Sequence, residues 1–191
     1  MLSEDIQSIK RVLAGDAAAF ADLVGRYERR LQGLLLHACG SRELAEDISQ
    51  EAFARAYRKL NLFSGDSQFY TWLARIALNL LASDRRRKRL ENQLGREGLE
   101  VAIDSFGNAA SQVDSLDQSE TRECVQHAIA QLDEDRRMVL LLRDFDGMDY
   151  DAIAETLDIP IGTVRSRLHR ARLDLRSLLK HRAVQLGLSQ S

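Results

Sequence analysis

The sequence predicts an all-α protein made of two small helical domains joined by a flexible linker. Only one of the 191 residues is proline and 6% are aromatic, whereas a sheet protein of this length would need more turn residues and more β-branched and aromatic strand formers. The 45% of hydrophobic residues suffice for a buried core, which excludes wholesale disorder. A central stretch without helical periodicity divides the helices into two groups.

The first predicted domain spans residues 1–91, the linker residues 92–118 and the second domain residues 119–191. Helical periodicity predicts the elements of the first domain, which are helices over Glu4–Ala14, Phe20–Cys39, Arg42–Leu60 and Phe69–Arg89, with a polar loop at Asn61–Ser67.

The same periodicity predicts the helices of the second domain, which are Arg122–Leu132, Arg136–Asp144, Tyr150–Leu157 and a last helix from Pro160 to about Leu179. Asp149 is a predicted N-cap of the short third helix, because its carboxylate can accept hydrogen bonds from the free N–H groups of the first turn.

Charge is strongly segregated along the chain, although the net charge is only −2. Asp84–Leu90 holds five basic residues and one acid, and Ile161–Arg182 holds seven basic residues and one acid. The intervening segment Glu91–Asp135 holds eleven acids and two arginines. A single basic run can be a solvated helix face, but two such runs favour a polyanion contacted at two places.

The last predicted helix has two unlike faces. Apolar residues recur on one face at steps of four, three, four and three, at Val164, Leu168, Ala171, Leu175 and Leu178. Arginines and hydrogen-bonding side chains occupy the opposite surface. A short helix, a tight turn and a basic helix form the helix-turn-helix pattern, whose second helix enters the DNA major groove. An ordinary amphipathic surface helix is the alternative.

Two further surfaces are predicted in the first domain. The helix over Arg42–Leu60 has an outer face of mixed charge, which suits a protein partner, unless it is only a solvated face with ion pairs along the helix. The next helix places aromatic rings ahead of the basic run, a combination typical of binding to single-stranded nucleic acid. Alternatively these rings are core, as predicted for Trp72.

Other functional classes find little support. The four histidines are scattered, and Cys39 and Cys124 lack metal-ligand spacing, so neither a metal nor a cofactor is expected. No apolar run approaches the ~18 residues that cross a bilayer, and the N-terminus is unlike a signal peptide. We expect a cytoplasmic protein without membrane insertion and without enzymatic activity.

Several segments resemble sigma factors of the sigma-70 family, in particular their small extracytoplasmic-function group. TVRSRLHRAR at Thr163–Arg172, preceded by DYDAIAETLDIPIG, is similar to the minus-35 recognition motif. DISQEAFARAYRKL followed by FSGDSQFYTWLARIALN is similar to the polymerase-binding and minus-10 recognition segments. The resemblance implies sigma domains 2 and 4, and a sigma factor that joins core RNA polymerase, reads minus-35 DNA and melts minus-10 DNA. A stand-alone helix-turn-helix regulator is the alternative.

The resemblance also implies roles for individual residues. Those that match the minus-35 reading surface are Thr163, Arg165, Ser166, His169, Arg170 and Arg172. Those that match minus-10 contacts are Asn61, Phe63, Ser64, Gly65, Asp66, Ser67, Arg75, Asn79, Ser83, Arg86 and Arg87. Those that match the polymerase-docking surface are Asp47, Gln50, Glu51 and Arg55. Ser83 departs from the Asp or Asn usual in the family, which bears on minus-10 preference. The implied partners are core RNA polymerase, promoter DNA and an anti-sigma factor.

Overall fold

A computed structural model describes residues 2–94 and 124–185 of the chain. They divide into two compact units, the first built on residues 2–94 and the second on most of residues 124–185, with Glu155–Leu157 grouped with the first. Within the described ranges the elements are helices, turns and loops, with no strand, so the all-α prediction is confirmed. The predicted linker falls, except for its first three residues, outside the described residues.

The first unit is a packed set of helices: α1 (Leu2–Leu13), α2 (Phe20–Cys39), α3 (Arg42–Arg58) and α4 (Phe69–Leu94). Short 3-10 turns lie at Ala17–Ala19 and Leu60–Leu62. α2 packs against both α3 and α4. The core between them contains fully buried leucines, among them Leu23, Leu31, Leu35, Leu73 and Leu81.

The hairpin of α2 and α3 has a defined turn. Gly40 ends α2 in the left-handed region at φ 71°, which glycine adopts at little cost. The side chain of Ser41 then caps α3 by accepting a hydrogen bond from the Leu44 N–H at 3.3 Å. Two residues therefore reverse the chain and bring the apolar faces of both helices together.

Four helix ends in this unit differ from the prediction, since α1 spans Leu2–Leu13 instead of Glu4–Ala14 and both α3 and α4 end elsewhere. α3 ends at Arg58, two residues before the predicted Leu60, because the chain tightens into the 3-10 turn at Leu60–Leu62. α4 continues to Leu94, so residues 92–94, predicted to begin the linker, are helical. Between Phe69 and Gly95 the sequence contains no glycine or proline that would end the helix earlier.

In the second unit the structure describes a helix over residues 124–130 (α5), α6 (Glu134–Leu140), α7 (Tyr150–Leu157) and α8 (Ile161–Gln185). The helix predicted from Arg136 to Asp144 begins at Glu134, and a wider π-helical turn over Leu141–Phe145 follows it. The Asp149 carboxylate accepts a hydrogen bond from the Ala152 N–H at 2.8 Å, which confirms the predicted cap. α8 packs against α6 and is longer than predicted.

None of the helices in the described ranges is long and apolar enough to cross a membrane. Among the same residues, no group of three or more His, Cys, Asp or Glu side chains is arranged to hold a metal ion.

Candidate nucleic-acid interface

α8 presents a polar face beside the turn that follows α7. Val164, Leu168 and Ala171 are buried against the rest of the second unit, which turns the remaining faces outward. The predicted DNA-reading residues share this exposure: Arg165, Ser166, His169 and Arg170 are exposed, and Thr163 is half-buried. The structure thus brings these side chains together on the first turns of the helix, where helix-turn-helix proteins contact base edges.

The start of α8 is fixed by local hydrogen bonds. Asp158 turns the chain with a positive φ of 54°, a conformation that aspartate tolerates better than most residues. The Thr163 N–H then donates to the Pro160 carbonyl at 2.8 Å, and the Ser166 hydroxyl donates to the Thr163 carbonyl at 3.1 Å. The tight turn predicted at Asp158–Pro160 is therefore present and sets the direction of the helix.

Arg172 differs from its neighbours because a carboxylate already binds it. Its Nε and Nη2 atoms donate to Asp144 at 3.0 and 2.5 Å, and this hydrogen bonding raises the pKa of the guanidinium. Arg167 is likewise bound by Asp135. Sequence reasoning missed both acids, since they lie 28 and 32 residues away from their arginines and nothing in the local pattern pairs them.

The polar loop between α3 and α4 is anchored at both ends. Leu60 before it and Phe69 after it are each 1% exposed. The predicted loop residues Asn61, Ser64, Gly65 and Asp66 are exposed, and Phe63 and Ser67 are half-buried. The structure therefore displays a short polar segment with one partly exposed aromatic ring.

Phe63 is held in an aromatic cluster. Its ring centroid lies 5.9 Å from that of Phe69 and 5.3 Å from that of Trp72. Trp72, predicted to be core, is only half-buried, because its ring lies at the edge of the bundle between Phe63 of the loop and the buried Phe69. Rings of this kind, partly accessible beside polar groups, can stack on an unpaired base.

The exposed face of α4 leads from this cluster to the basic run. Asn79, Ser83, Arg86 and Arg87 are exposed and Arg75 is half-buried. The Ser83 hydroxyl donates to the Asn79 carbonyl at 2.7 Å and accepts from Arg86 at 3.0 Å. Ser83 thus turns back onto its own helix, and in doing so it places the Arg86 guanidinium.

Not every arginine of the basic run faces outward. Arg85 donates to the Ala38 carbonyl at 2.6 Å and so joins α4 to the last turn of α2. Arg87 and Lys88 bind Asp84 at 2.8 and 3.0 Å. The basic run therefore combines a structural contact with a partly neutralised cationic surface.

The outer face of α3 has a different character. Asp47, Gln50 and Arg55 are exposed and Glu51 is half-buried. Glu51 accepts from Arg55 at 2.7 Å and from Arg58 at 3.2 Å, and the Arg55 hydrogen bond is the main cause of its lowered pKa. Asp47 and Gln50 lie on the same outer surface as these charges, which together form a polar surface of mixed sign.

The sequence matches sigma-70 region 2 over residues 23–91 and sigma-70 region 4 over residues 122–175. It is 39% identical over 176 residues to the RNA polymerase sigma-H factor of Pseudomonas aeruginosa, covering 88% of this chain and 90% of that protein. The chain belongs to the sigma-70 family. This sigma-70 chain is also 39% identical over 173 residues to the ECF RNA polymerase sigma-E factor of Escherichia coli K12, covering 86% of the chain and 88% of the relative, which places it in the extracytoplasmic-function group.

Solved structures share the fold of this sigma-70 chain. It matches the sigma factor RpoE of Bartonella quintana, solved in complex with the anti-sigma factor NepR, with a TM-score of 0.72 and 26% identity over 84% of the chain and 96% of the matched chain. CnrH, solved with the cytosolic domain of CnrY, shares the fold with a TM-score of 0.70 at 23% identity, covering 93% of this chain and 98% of that chain.

Proposed function

We propose that this chain binds bacterial core RNA polymerase and directs promoter-specific initiation of transcription. α8 lies in the major groove at the minus-35 element, and the loop at Asn61–Ser67 with α4 melts and reads the minus-10 element. The observation that carries the proposal is the pairing of two unlike surfaces on one chain: a basic helix-turn-helix for duplex DNA, and an aromatic loop beside a basic helix for unpaired bases.

The exposed first turns of α8 read the minus-35 element. Thr163, Arg165, Ser166, His169 and Arg170 face outward from a buried apolar stripe. Arginine can bind guanine through two hydrogen bonds, whereas serine and threonine contact phosphate or base edges. Arg172 is hydrogen-bonded to Asp144. It can therefore contact DNA only if its guanidinium binds DNA and Asp144 together or gives up its bonds to Asp144.

The anchored loop at Asn61–Ser67 opens the minus-10 element. Unstacking a base costs a few kcal/mol, and a preformed pocket that accepts only the unstacked base supplies both opening and selectivity. The packed rings of Phe63 and Trp72 offer a surface for stacking of the base, and Asn61 and Ser64–Ser67 supply hydrogen-bonding groups around it. Arg75, Asn79, Ser83, Arg86 and Arg87 continue the contact along α4.

The polymerase-docking surface is the outer face of α3. Asp47, Gln50, Glu51 and Arg55 form a mixed-charge surface, which suits a protein partner better than a polyanion. An anti-sigma factor is the proposed regulator, as in the solved complex of the related sigma factor with NepR. The chain works in the cytoplasm, where its polymerase is, and catalysis of RNA synthesis belongs to that polymerase.

The proposal is tested by capture of core RNA polymerase on the purified chain, followed by run-off transcription from a promoter library. Wild type is expected to bind polymerase and create new start sites that share two sequence elements. Tight duplex binding by the chain alone, without polymerase binding, would support the stand-alone regulator instead.

The docking surface is tested in the same assay with a double variant, Asp47→Ala with Gln50→Ala. Polymerase binding is expected to fall, because the variant removes an exposed acid and an exposed amide from the interface. The matched control, Glu28→Ala with Gln32→Ala, removes the same two groups from α2 and leaves binding intact. Equal binding by both variants would place the docking surface elsewhere.

A further inference from the structure

α1 carries a buried carboxylate with no part in the three surfaces described above. Asp5 is 5% exposed and belongs to the first turns of the helix. Arg26 of α2 donates to its Oδ1 atom, and the Tyr27 hydroxyl donates to its Oδ2 atom at 2.5 Å. Burying a carboxylate is unfavourable unless it is paired and hydrogen-bonded, and here both oxygens have a donor.

Tyr27, a partner of Asp5, is connected to the minus-10 loop by a series of packed rings. The Tyr27 ring lies 5.8 Å from the ring of Phe69 and 5.4 Å from that of Tyr70. Phe69 in turn lies 5.9 Å from Phe63, the half-buried ring of the loop. α1 also contacts the turn Leu60–Leu62, from which the loop departs.

The Tyr27 hydroxyl is the fixed point of this series of rings. An aromatic ring with a buried hydroxyl adopts the place where that hydroxyl finds its acceptor. Burial and the bond to Asp5 raise the pKa of Tyr27 to about 12, so the hydroxyl keeps its proton at physiological pH and continues to donate. The position of Tyr27 then limits where Phe69 and Phe63 can pack.

We propose that Asp5 is a positioning residue for the minus-10 loop: by holding Tyr27 it fixes the support on which Phe63 meets an unpaired promoter base. This rests on the proposed function of the loop. A loop that is already ordered captures a base without the entropic cost of ordering itself. Asp5 acts through Tyr27 and Phe69 and does not touch the DNA.

The first measurement needs only the isolated chain. Trp72 is its single tryptophan and lies against Phe63, so its emission reports the packing of the loop. Asp5→Ala and Tyr27→Phe are expected to shift Trp72 emission to longer wavelength and to increase its quenching by acrylamide. Asp5→Asn keeps an oxygen that accepts from Tyr27 but presents an NH2 group to the Arg26 donor, so it is expected to show a smaller shift than Asp5→Ala.

The second measurement uses the holoenzyme and single-stranded minus-10 oligonucleotides with 2-aminopurine placed in turn at each position of the element. Asp5→Ala and Tyr27→Phe are expected to weaken capture about tenfold, the order expected for loss of a charge-assisted hydrogen bond. Binding of core polymerase and of minus-35 duplex is expected to stay unchanged. Asp16→Ala is the matched control, since it removes an exposed acid paired with Arg11 at 2.7 Å beside α1.

Three results would overturn the proposal. The first is unchanged Trp72 emission in both Asp5→Ala and Tyr27→Phe. The second is altered emission with unchanged capture of the minus-10 base. The third is a loss of capture that is matched by equal losses at minus-35 and polymerase, or shared by Asp16→Ala, because that indicates general destabilisation. If Asp5→Ala fails to fold, the same two measurements on Tyr27→Phe and Asp5→Asn test the proposal. Failure of wild type itself to bind polymerase or the oligonucleotide is a failure of the proposed function, and the Trp72 measurement still stands.

Discussion

Arg165 and Arg172 lie on the same helix but have different surroundings. Arg165 is exposed and makes no ion pair with another described residue, whereas Arg172 is held by two hydrogen bonds from its guanidinium to Asp144. When a guanidinium must break its bonds to a carboxylate before it binds DNA, the cost of breaking them reduces the free energy gained from the DNA contact. The two arginines are therefore expected to differ in their effect on promoter choice.

Arg165→Ala is expected to weaken promoter use at particular minus-35 bases by roughly 1 to 3 kcal/mol, because a bidentate contact to a base edge is lost. Arg172→Ala is expected to leave base preference unchanged and to lower stability by at most about 1 kcal/mol, as for an exposed ion pair. Holoenzyme binding to a set of minus-35 variants measures both. A loss of equal size across all sequences for Arg165→Ala would make that residue a phosphate contact.

His37 makes the stability of the first unit depend on pH. Burial lowers the pKa of this imidazole below its ordinary 6.5, so the folded chain keeps it neutral while the unfolded chain takes up a proton. Stability is therefore present above pH 6.5 and is lost as the pH falls from there towards the folded pKa. His37→Gln, neutral at every pH, is expected to lose less stability than wild type between neutral pH and about pH 5. Urea unfolding at a series of pH values tests this, and parallel curves for both chains would contradict it.

Single residues could be assigned from the sequence where a local pattern was enough. The outward residues of α8 follow from the spacing of Val164 and Leu168, which fixes the buried face. Partners distant in sequence could not be assigned, because Asp144 and Asp5 meet their donors only after the helices pack. Trp72 was assigned to the core since its spacing fits the buried face, but the loop that covers it is irregular and has no period.

At the scale of elements, helix ends are set by hydrogen bonds from a few side chains. Ser41 begins α3 and Asp149 begins α7 by accepting from backbone N–H groups, and Gly40 ends α2. Asp149 was predictable because an acid directly before a short apolar helix is a strong start signal. The π-helical turn at Leu141–Phe145 was not, since the apolar sequence there fits an ordinary helix equally well.

Asp149→Ala is expected to lower the free energy of unfolding of the second unit by about 1 kcal/mol, because the first turn of α7 loses its cap. Asp149→Asn is the matched control, since its amide oxygen can still accept from Ala152 and its loss is expected to be smaller. Urea unfolding followed by circular dichroism measures both. Equal stability of Asp149→Ala and wild type would show that water replaces the cap without loss.

At the scale of the whole molecule, the described residues form two compact units, each with its own buried core. The proposed domain bounds, residues 1–91 and 119–191, stay a prediction, and α4 reaches Leu94, three residues beyond the first domain's predicted end. Composition and periodicity sufficed to predict the two groups of helices. The end of α4 was placed too early because the polar residues after Leu90 suggest a loop, although they also suit an exposed helical turn.

A fragment of residues 1–94 is expected to fold alone, since its helices pack against one another around buried leucines of their own. Circular dichroism and urea unfolding of the fragment are expected to show one cooperative transition. Leu31→Ala in the fragment is expected to lower its stability by roughly 2 to 5 kcal/mol, as for a buried leucine. A fragment without a cooperative transition would mean that the first unit depends on residues outside this range.

Asp135 and Asp144 act as built-in counterions for α8, because they already neutralise Arg167 and Arg172. An arginine bound by a protein carboxylate displaces no cation from the DNA backbone, so each such pair removes about one unit from the slope of log affinity against log salt. If α8 binds the minus-35 element as proposed, the second unit is expected to bind DNA with less sensitivity to ionic strength than the number of arginines in α8 suggests. A rise in cellular salt is then expected to weaken promoter binding less than it weakens binding by a helix whose arginines all face phosphates.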